Sequence, residues 1–320
     1  MRILANDGIS SDGKFILEAA GYTVSTEKVS QDLLARAINE DKYDILIIRS
    51  ATQADEELLS SCPNLKLVVR AGVGLDNVDL LAAKEYGIKI RNTPAASSQS
   101  VAELVMGQMF ALARGLHDSA RNIGYDEFDY LKKKYSKGIE LRGKTLGIIG
   151  FGRIGRSLAG YATGIGMDIL PFDIEEAETT IEIDVLGTTH EFPCFVRNDL
   201  RGMLRYCDFV SVHIPKTENG DSVINATELG WMKDGVILVN AARGGVVNED
   251  DLIDALESGK VAAAGLDVFE DEPNPNELLL KHRNILPTPH IGAATVEAQD
   301  RIGNELANLI LEEFGNFTEK

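Results

Sequence analysis

The sequence predicts an α/β protein built as two doubly wound domains, each a parallel sheet covered by helices. Three observations carry that expectation. Short apolar runs alternate with amphipathic segments along most of the chain, and the alternation comes in two series. A glycine-rich turn follows the first apolar run of the second series. The length of 320 residues, with 44% hydrophobic and 26% charged residues, suffices for two cores of ordinary globular composition.

In the first series "RILAN", "YTVST", "YDILIIRS", "LKLVVRAG" and "IKIRN" read as strands, with helical patterns such as "SQDLLARAINE" between them. "SSQSVAELVMGQMFALARGLHDSARN" then reads as one unusually long helix with serines available to cap its start. Val101, Leu104, Val105, Met109, Leu112 and Leu116 make an apolar stripe, which Met106, Phe110 and Ala113 widen. A simple surface helix would carry less apolar surface. The expectation is burial between the domains together with a subunit interface, giving a homodimer or a dimer-based tetramer.

The second series runs through "KTLGIIG", "MDILPFD", "DFVSVH", "GVILVN" and "VAAAGLDV". The segment "EEAETTIEIDVLGTTHEFPCFVRND" interrupts it. There Ile181, Ile183 and Val185 alternate with acidic residues, Gly187 supplies a turn, and Phe192 to Val196 return, so a surface β-hairpin is expected. A last helix is expected from about Thr295 to Phe314. Residues 1–98 and 289–320 are assigned to one domain and residues 99–288 to the other, with a ligand cleft between them.

Composition narrows the partners. A formal net charge of −18 argues against nucleic acid or an anionic membrane, each of which needs a basic field. An anionic small molecule would need locally placed cations. Cys62, Cys194 and Cys207 are odd in number and lack metal-site or redox-pair spacing, so no metal is expected and a reducing cytoplasm fits. No signal peptide and no apolar run of about 18 residues is evident.

"KTLGIIGFGRIGRSLAGYATGIGMDILPFD" places Gly150, Gly152 and Gly155 as GxGxxG between a strand and a helix, with Asp173 eighteen positions beyond Gly155. The spacing alone is weak, but the complete strand, turn, helix, strand and acid unit is specific for a dinucleotide in a Rossmann-like domain. Backbone N–H groups at Arg153 and Ile154 would meet the pyrophosphate at the positive helix end. Asp173 would accept from the adenosine ribose hydroxyls. With Glu175 and Glu176 following, a 2′-phosphate is disfavoured, so the expected cofactor is NAD. The bland alternative is a glycine-rich turn beside a solvent-facing aspartate, which leaves the rest of the unit unexplained.

A nicotinamide enzyme acting on a hydroxyl needs a proton acceptor, a group to orient it and a cation for the substrate. Of the five histidines, His117, His190 and His282 read as packing or surface residues. His213 ends a strand in "HIPK", a context that suits support of a cofactor loop. His290 in "PTPHIGAAT" remains the best candidate.

Together "NAARGGVVNEDDL", "GLDVFEDEP" and "PTPHIGAAT" resemble the D-isomer-specific 2-hydroxyacid dehydrogenase family, in the expected order. The resemblance implies an active site of Arg243, Glu272 and His290. Arg243 would hold the substrate carboxylate and polarise its keto oxygen, His290 would exchange the hydroxyl proton, and Glu272 would steady the imidazole. It also implies cofactor contacts at Pro215, Ala242, Asp267 and Gly292. Taken singly, each could be a surface residue; their joint occurrence with the dinucleotide unit makes coincidence improbable.

The N-terminal "IIRSAT", "VVRAGVGLDNVDL" and "IRNTP" look like the substrate domain of the D-3-phosphoglycerate dehydrogenases within that family. Arg49 and Arg70 would hold a substrate phosphate or carboxylate, with Gly72, Val73 and Gly74 bringing backbone close. Pairing of these arginines with acids such as Asp76 is the plainer reading. The run "LKKKYSK" could add a phosphate contact across a dimer or be a solvated face. Val73 and Ser97 depart from the threonine and asparagine common in the resembled enzymes. The implied reaction is oxidation of 3-phosphoglycerate to 3-phosphooxypyruvate, which opens L-serine biosynthesis. The alternatives are a glyoxylate, hydroxypyruvate or other 2-ketoacid reductase, and a corepressor-like protein that senses NAD. With no further domain after the last helix, serine feedback through one is not expected.

Overall fold

The computed structural model describes residues 1–317 apart from 125, 126 and 218. They form two compact units, one of residues 1–97 with the chain from 293 onward, the other of residues 98–292. Among the described residues no helix is long and apolar enough to cross a membrane.

The first unit contains β1 (Arg2–Ala5), α1 (Ser11–Ala19), β2 (Thr23–Ser25), α2 (Gln31–Glu40), β3 (Ile45–Ile48), α3 (Glu56–Ser60), β4 (Leu67–Arg70), α4 (Leu80–Glu85) and β5 (Lys89–Asn92). Its sheet is wholly parallel in the order β2-β1-β3-β4-β5. β3 is apolar at every position because both of its faces are covered, and Ile45 through Ile48 are fully buried. Side chains close the helix starts: Ser10 accepts from the Gly13 N–H, Asp55 from that of Leu58, and Asp79 from those of Leu81 and Ala82. The C-terminal helix (Val296–Phe314), capped by Thr295, lies against α1. Gly13 makes that packing close, since a Cβ there would stand 2.6 Å from the Gly303 carbonyl oxygen.

The second unit begins with α5 (Ser98–Arg114), α6 (Leu116–Asn122) and α7 (Phe128–Lys134). The single long helix expected for this region is broken. Gly115 takes a left-handed conformation with φ 60, which ends α5 and redirects the chain. Within this chain Phe110 and Leu116 are exposed, while Val101, Val105, Met109 and Leu112 are buried.

There follow β6 (Thr145–Ile149), α8 (Arg153–Gly164), β7 (Asp168–Phe172), β8 (Ala177–Val185), β9 (Thr188–Val196), α9 (Leu200–Leu204), β10 (Phe209–Val212), α10 (Ala226–Trp231), β11 (Val236–Asn240), α11 (Glu249–Glu257), β12 (Val261–Leu266), α12 (Glu277–Lys281) and β13 (Ile285–Pro287). Six of these strands form a parallel sheet ordered β13-β12-β11-β10-β6-β7. From β6 the chain moves outward to β7 and then returns to β10 on the other side, so the order reverses between β6 and β10. A crevice outside the carboxyl ends of such a pair is where open α/β sheets bind ligands.

β8 and β9 pair only with each other as an antiparallel hairpin that packs on α8. Its turn is Leu186-Gly187, with φ 52 and 79, the two-residue geometry that matches the twist of the flanking strands. The returning strand starts at Thr188, earlier than the pattern from Phe192 implies, because pairing continues to the turn.

The unit boundary also differs from the expected break after residue 288. Residues 289–292 belong to the second unit, since the backbone N–H groups of Ile291 and Gly292 bond to the Asp267 carboxylate there. His290 is thereby carried by the same unit as Arg243 and Glu272.

Candidate active site

The glycine turn sits at the carboxyl end of β6, where the sheet order reverses. Gly150 has φ 91, and a Cβ there would lie 2.6 Å from the His213 carbonyl oxygen at the end of β10. A Cβ on Gly155 would lie 2.4 Å from the Gly150 oxygen, so this glycine lets α8 approach its own strand. Gly152 is different, because a Cβ there would meet nothing within 4 Å. No protein group therefore explains the glycine at 152, and no side chain caps the start of α8, where Arg153 and Ile154 offer their N–H groups. Asp173, just past β7, accepts from Phe151 N–H at 2.9 Å and from Ile174 N–H at 2.8 Å. An open, uncapped helix start beside a fixed carboxylate suits a dinucleotide pyrophosphate and ribose.

The other expected cofactor residues border this region. Pro215 is exposed on the loop after β10, Ala242 is buried after β11, and Gly292 is buried behind His290. His213 has its Nε2 2.8 Å from Ser211 Oγ, and its Nδ1 is buried with no hydrogen-bond partner. Burial pushes this imidazole down to about 3, so it is neutral at ordinary pH and suits a packing role.

Arg243, Glu272 and His290 come from three loops, after β11, β12 and β13, the first two in close contact. Asn240, 2% exposed, shapes the first: its side-chain oxygen accepts from Ala242 N–H and its amide donates to the Arg243 carbonyl. Gly244 then lies against the second loop so closely that a Cβ would stand 1.8 Å from the Phe269 oxygen. Glu249, at the start of α11, accepts from Glu270 N–H and fixes that loop from below.

Glu272 Oε1 accepts from Phe269 N–H at 3.0 Å, and Glu272 Oε2 meets His290 Nδ1 at 2.7 Å. Burial alone would raise the Glu272 carboxyl. The bonds from His290 and Phe269 and the nearby charges of His290 and Arg243 outweigh it and hold the group below its ordinary value. His290 is itself at φ 53, in the left-handed region, with its side chain 44% exposed. With Nδ1 held by the carboxylate, Nε2 is the nitrogen left to exchange a proton.

Asp267, expected beside the nicotinamide, is 1% exposed, and its contacts are internal. Oδ1 accepts from the Thr288 hydroxyl at 2.6 Å and Ile291 N–H at 2.9 Å, and Oδ2 accepts from Gly292 N–H at 2.8 Å. The carboxylate holds the backbone on both sides of His290.

In the first unit Arg49 stands just beyond β3 and lines a cavity of about 260 Å³ with Asp7, Ser10 and Gln299. Among the described residues its guanidinium has no hydrogen-bond or ion-pair partner. The loop after it is clamped from two sides. Asp7 accepts from the N–H groups of Arg49 and Thr52 at 2.7 and 3.1 Å, and Asn77 donates to their carbonyls at 2.7 and 2.6 Å. Burial would raise the Asp7 carboxyl, but bonds from Lys28, Arg49 N–H and Thr52 hold it low. The Arg70 guanidinium folds over Gly72, whose φ of 146 and missing Cβ make the room. Val73 is 37% exposed, and its carbonyl accepts from Asn92.

Asp7, Asn77, Asn240, Glu249 and Thr288 were not among the residues expected at the site. Asn240 has a readable signal, an asparagine directly after a buried strand, where its side chain can bond two residues on. The others act across long sequence separations.

Residues 106–292 match the model of the D-isomer specific 2-hydroxyacid dehydrogenase NAD-binding domain. The chain belongs to the D-isomer specific 2-hydroxyacid dehydrogenase family. It is thus an NAD-dependent oxidoreductase, and the residues that match its NAD-binding domain, 106–292, lie within the second unit. Over 318 residues the dehydrogenase is 42% identical to a hydroxypyruvate reductase of Thermotoga maritima, covering 98% of both chains. It is 38% identical over 314 residues to a D-3-phosphoglycerate dehydrogenase of Methanocaldococcus jannaschii, covering 97% of this chain and 57% of the relative. The crystal structure of a glyoxylate reductase from Paecilomyes thermophila superposes with a TM-score of 0.81 at 28% identity, covering 99% and 96% of the two chains.

Proposed function

We propose that the dehydrogenase interconverts 3-phosphoglycerate and 3-phosphooxypyruvate, with His290 as acid/base, Glu272 as its orienting carboxylate and Arg243 as the substrate-carboxylate ligand. The observation that supports the chemistry is the 2.7 Å contact between His290 Nδ1 and Glu272 Oε2 beside the Arg243 loop. Bound in the second unit, the nicotinamide cofactor would supply the hydride acceptor for C2 in oxidation and the hydride donor in reduction. His290 Nε2 takes the C2 hydroxyl proton as the carbonyl forms and gives it back in the reverse direction. Glu272 fixes the tautomer and balances the charge that the ring acquires. The Arg243 fork pairs with the carboxylate and draws electron density from the keto oxygen. The turn of Gly150, Gly152 and Gly155, with the N–H groups of Arg153 and Ile154, would hold the pyrophosphate, and Asp173 the ribose.

The phosphate preference rests on Arg49, whose guanidinium has no partner among the described residues and lines a cavity in a chain of net charge −18. A second reading, reduction of hydroxypyruvate, is favoured by the full-length similarity to the Thermotoga maritima enzyme. We place the protein in the cytoplasm, acting as a homodimer through the exposed Phe110 and Leu116 region.

A panel of 3-phosphoglycerate, D-glycerate and D-lactate in oxidation, with hydroxypyruvate and glyoxylate in reduction, decides between the substrates. The proposal expects the highest kcat/KM for the phosphorylated pair and a selective loss of that preference in Arg49→Leu. A higher kcat/KM for hydroxypyruvate, unchanged in Arg49→Leu, would establish the second reading instead. His290→Ala should retain NADH binding and lose turnover at every pH.

A further inference from the structure

We propose that Gln108 and Thr288 are positioning residues for the acid/base histidine, acting through Asp267 on the backbone that carries His290. The proposal rests on the role given to His290 above. It starts from a chain of hydrogen bonds inside the second unit. Gln108, on α5 and 2% exposed, donates from Nε2 to Thr288 Oγ1 at 3.1 Å. The Thr288 hydroxyl has one proton and gives it to Asp267 Oδ1 at 2.6 Å, so it can only accept from Gln108. Asp267 in turn accepts from the N–H groups of Ile291 and Gly292.

This direction of donation fixes the Gln108 amide. Its Oε1 then faces Gly265 of β12, where a Cβ would lie 2.7 Å away. Oε1 is buried and has no hydrogen-bond partner among the described residues. An amide left half satisfied in an apolar surrounding is less stable there than a leucine or methionine of similar volume, so stability alone does not account for it.

The end of the chain of bonds does account for it. Thr288 N–H bonds to the Leu266 carbonyl, and His290 N–H bonds back to the Thr288 carbonyl at 3.0 Å. His290 is a non-glycine residue at φ 53, a conformation that persists only when its surroundings over-determine it. Thr288 is fixed before it, and residues 291 and 292 after it, by the one carboxylate that Thr288 and Gln108 orient. The imidazole then projects with Nδ1 on Glu272.

The test compares Thr288→Val, Thr288→Ser, Gln108→Leu, the Gln108→Leu/Thr288→Val double variant and His290→Ala in the full chain. Each is measured for kcat, KM, NADH dissociation constant by fluorescence, and Tm. Gln108→Leu should lower kcat by about threefold to tenfold, and Thr288→Val by about tenfold or more, because small misplacements of a reacting group are costly. Both should keep the NADH dissociation constant within about twofold, and Gln108→Leu should keep or raise Tm. Thr288→Ser restores the hydroxyl and should return kcat to within about twofold of the parent. The double variant should lose no more than Thr288→Val, since both cut one chain of bonds.

Unchanged kcat in Gln108→Leu, or losses that multiply in the double variant, would overturn the proposal. Losses that track a fall in Tm without rescue by serine would do so as well. Turnover surviving in His290→Ala would instead defeat the reading of the site, which separates the two failures.

Discussion

Replacing Asp267 with asparagine tests how much of the active-site geometry hangs on one buried carboxylate. In the best orientation the new amide oxygen still accepts from Thr288 and Ile291, while its NH2 faces the Gly292 N–H, which loses its acceptor. In the flipped orientation two bonds are lost. At 1% exposure no water replaces them. One lost hydrogen bond to a charged group, about 1.5–3 kcal/mol, with an unsatisfied buried donor left behind, brings the cost to about 3 kcal/mol. For a unit of this size that lowers Tm by about 6–12 °C. The same loss frees the loop on which His290 depends, so kcat should fall by about tenfold to a hundredfold, with the smaller effect on KM. Thermal melts and steady-state kinetics on Asp267→Asn measure both quantities. A Tm within about 2 °C of the parent together with an unchanged kcat would refute the idea that this carboxylate carries the loop.

Gly152→Ala should fold with the parent Tm yet bind NADH at least about tenfold more weakly, because its Cβ meets no protein atom. Gly150→Ala should lose both stability and NADH binding, because its Cβ would strike the His213 backbone oxygen at 2.6 Å; melts and fluorescence titrations separate the two variants, and equal behaviour would contradict the turn geometry. Asp7→Ala, which removes the acceptor for Arg49 and Thr52 N–H, should raise the substrate KM by about tenfold while NADH affinity holds, as steady-state and binding assays would show. Stability should decline as pH falls through the window from the ordinary histidine value of 6.5 to about 3, because the unfolded chain protonates His213 and the folded one does not. The slope from this residue is at most about 1.4 kcal/mol per pH unit, and denaturant titrations on His213→Gln should show a flatter dependence. Asp7 and Glu272, held low in the fold, add a further loss as pH falls through their ordinary values of 3.8 and 4.5 and below.

The strands were legible because buried parallel strands are written as short unbroken apolar runs, and Ile45–Ile48 and Val236–Asn240 leave little else to propose. The hairpin was legible from the alternation at Ile181, Ile183 and Val185 with a glycine beyond, although its return strand begins four residues before the apolar pattern does. The break at Gly115 was not, since a glycine inside an apolar helical pattern is tolerated as often as it terminates, and only the left-handed φ of 60 decides. At the site, elimination among the five histidines pointed to His290, and the family resemblance implied Arg243 and Glu272 beside it. What draws them together was hidden, because Gly244 against Phe269 and Asp267 against Ile291 are contacts between loops well apart in sequence. Asp267 shows the limit most clearly: the sequence offers an acidic residue after a strand, and its three internal donors, which come from 21 to 25 residues away, appear only in the fold.

The stretch from Ser98 to Gly292 carries the glycine turn, Arg243, Glu272 and His290, whereas Arg49 and Arg70 sit on a unit assembled from both chain ends. The residues proposed to handle the proton and the arginines proposed to read the substrate are thus carried by separate units. Two splice points, after Ser97 and after Gly292, would suffice to graft a relative's outer segments onto this centre, making such hybrids a practical route to new substrate preferences.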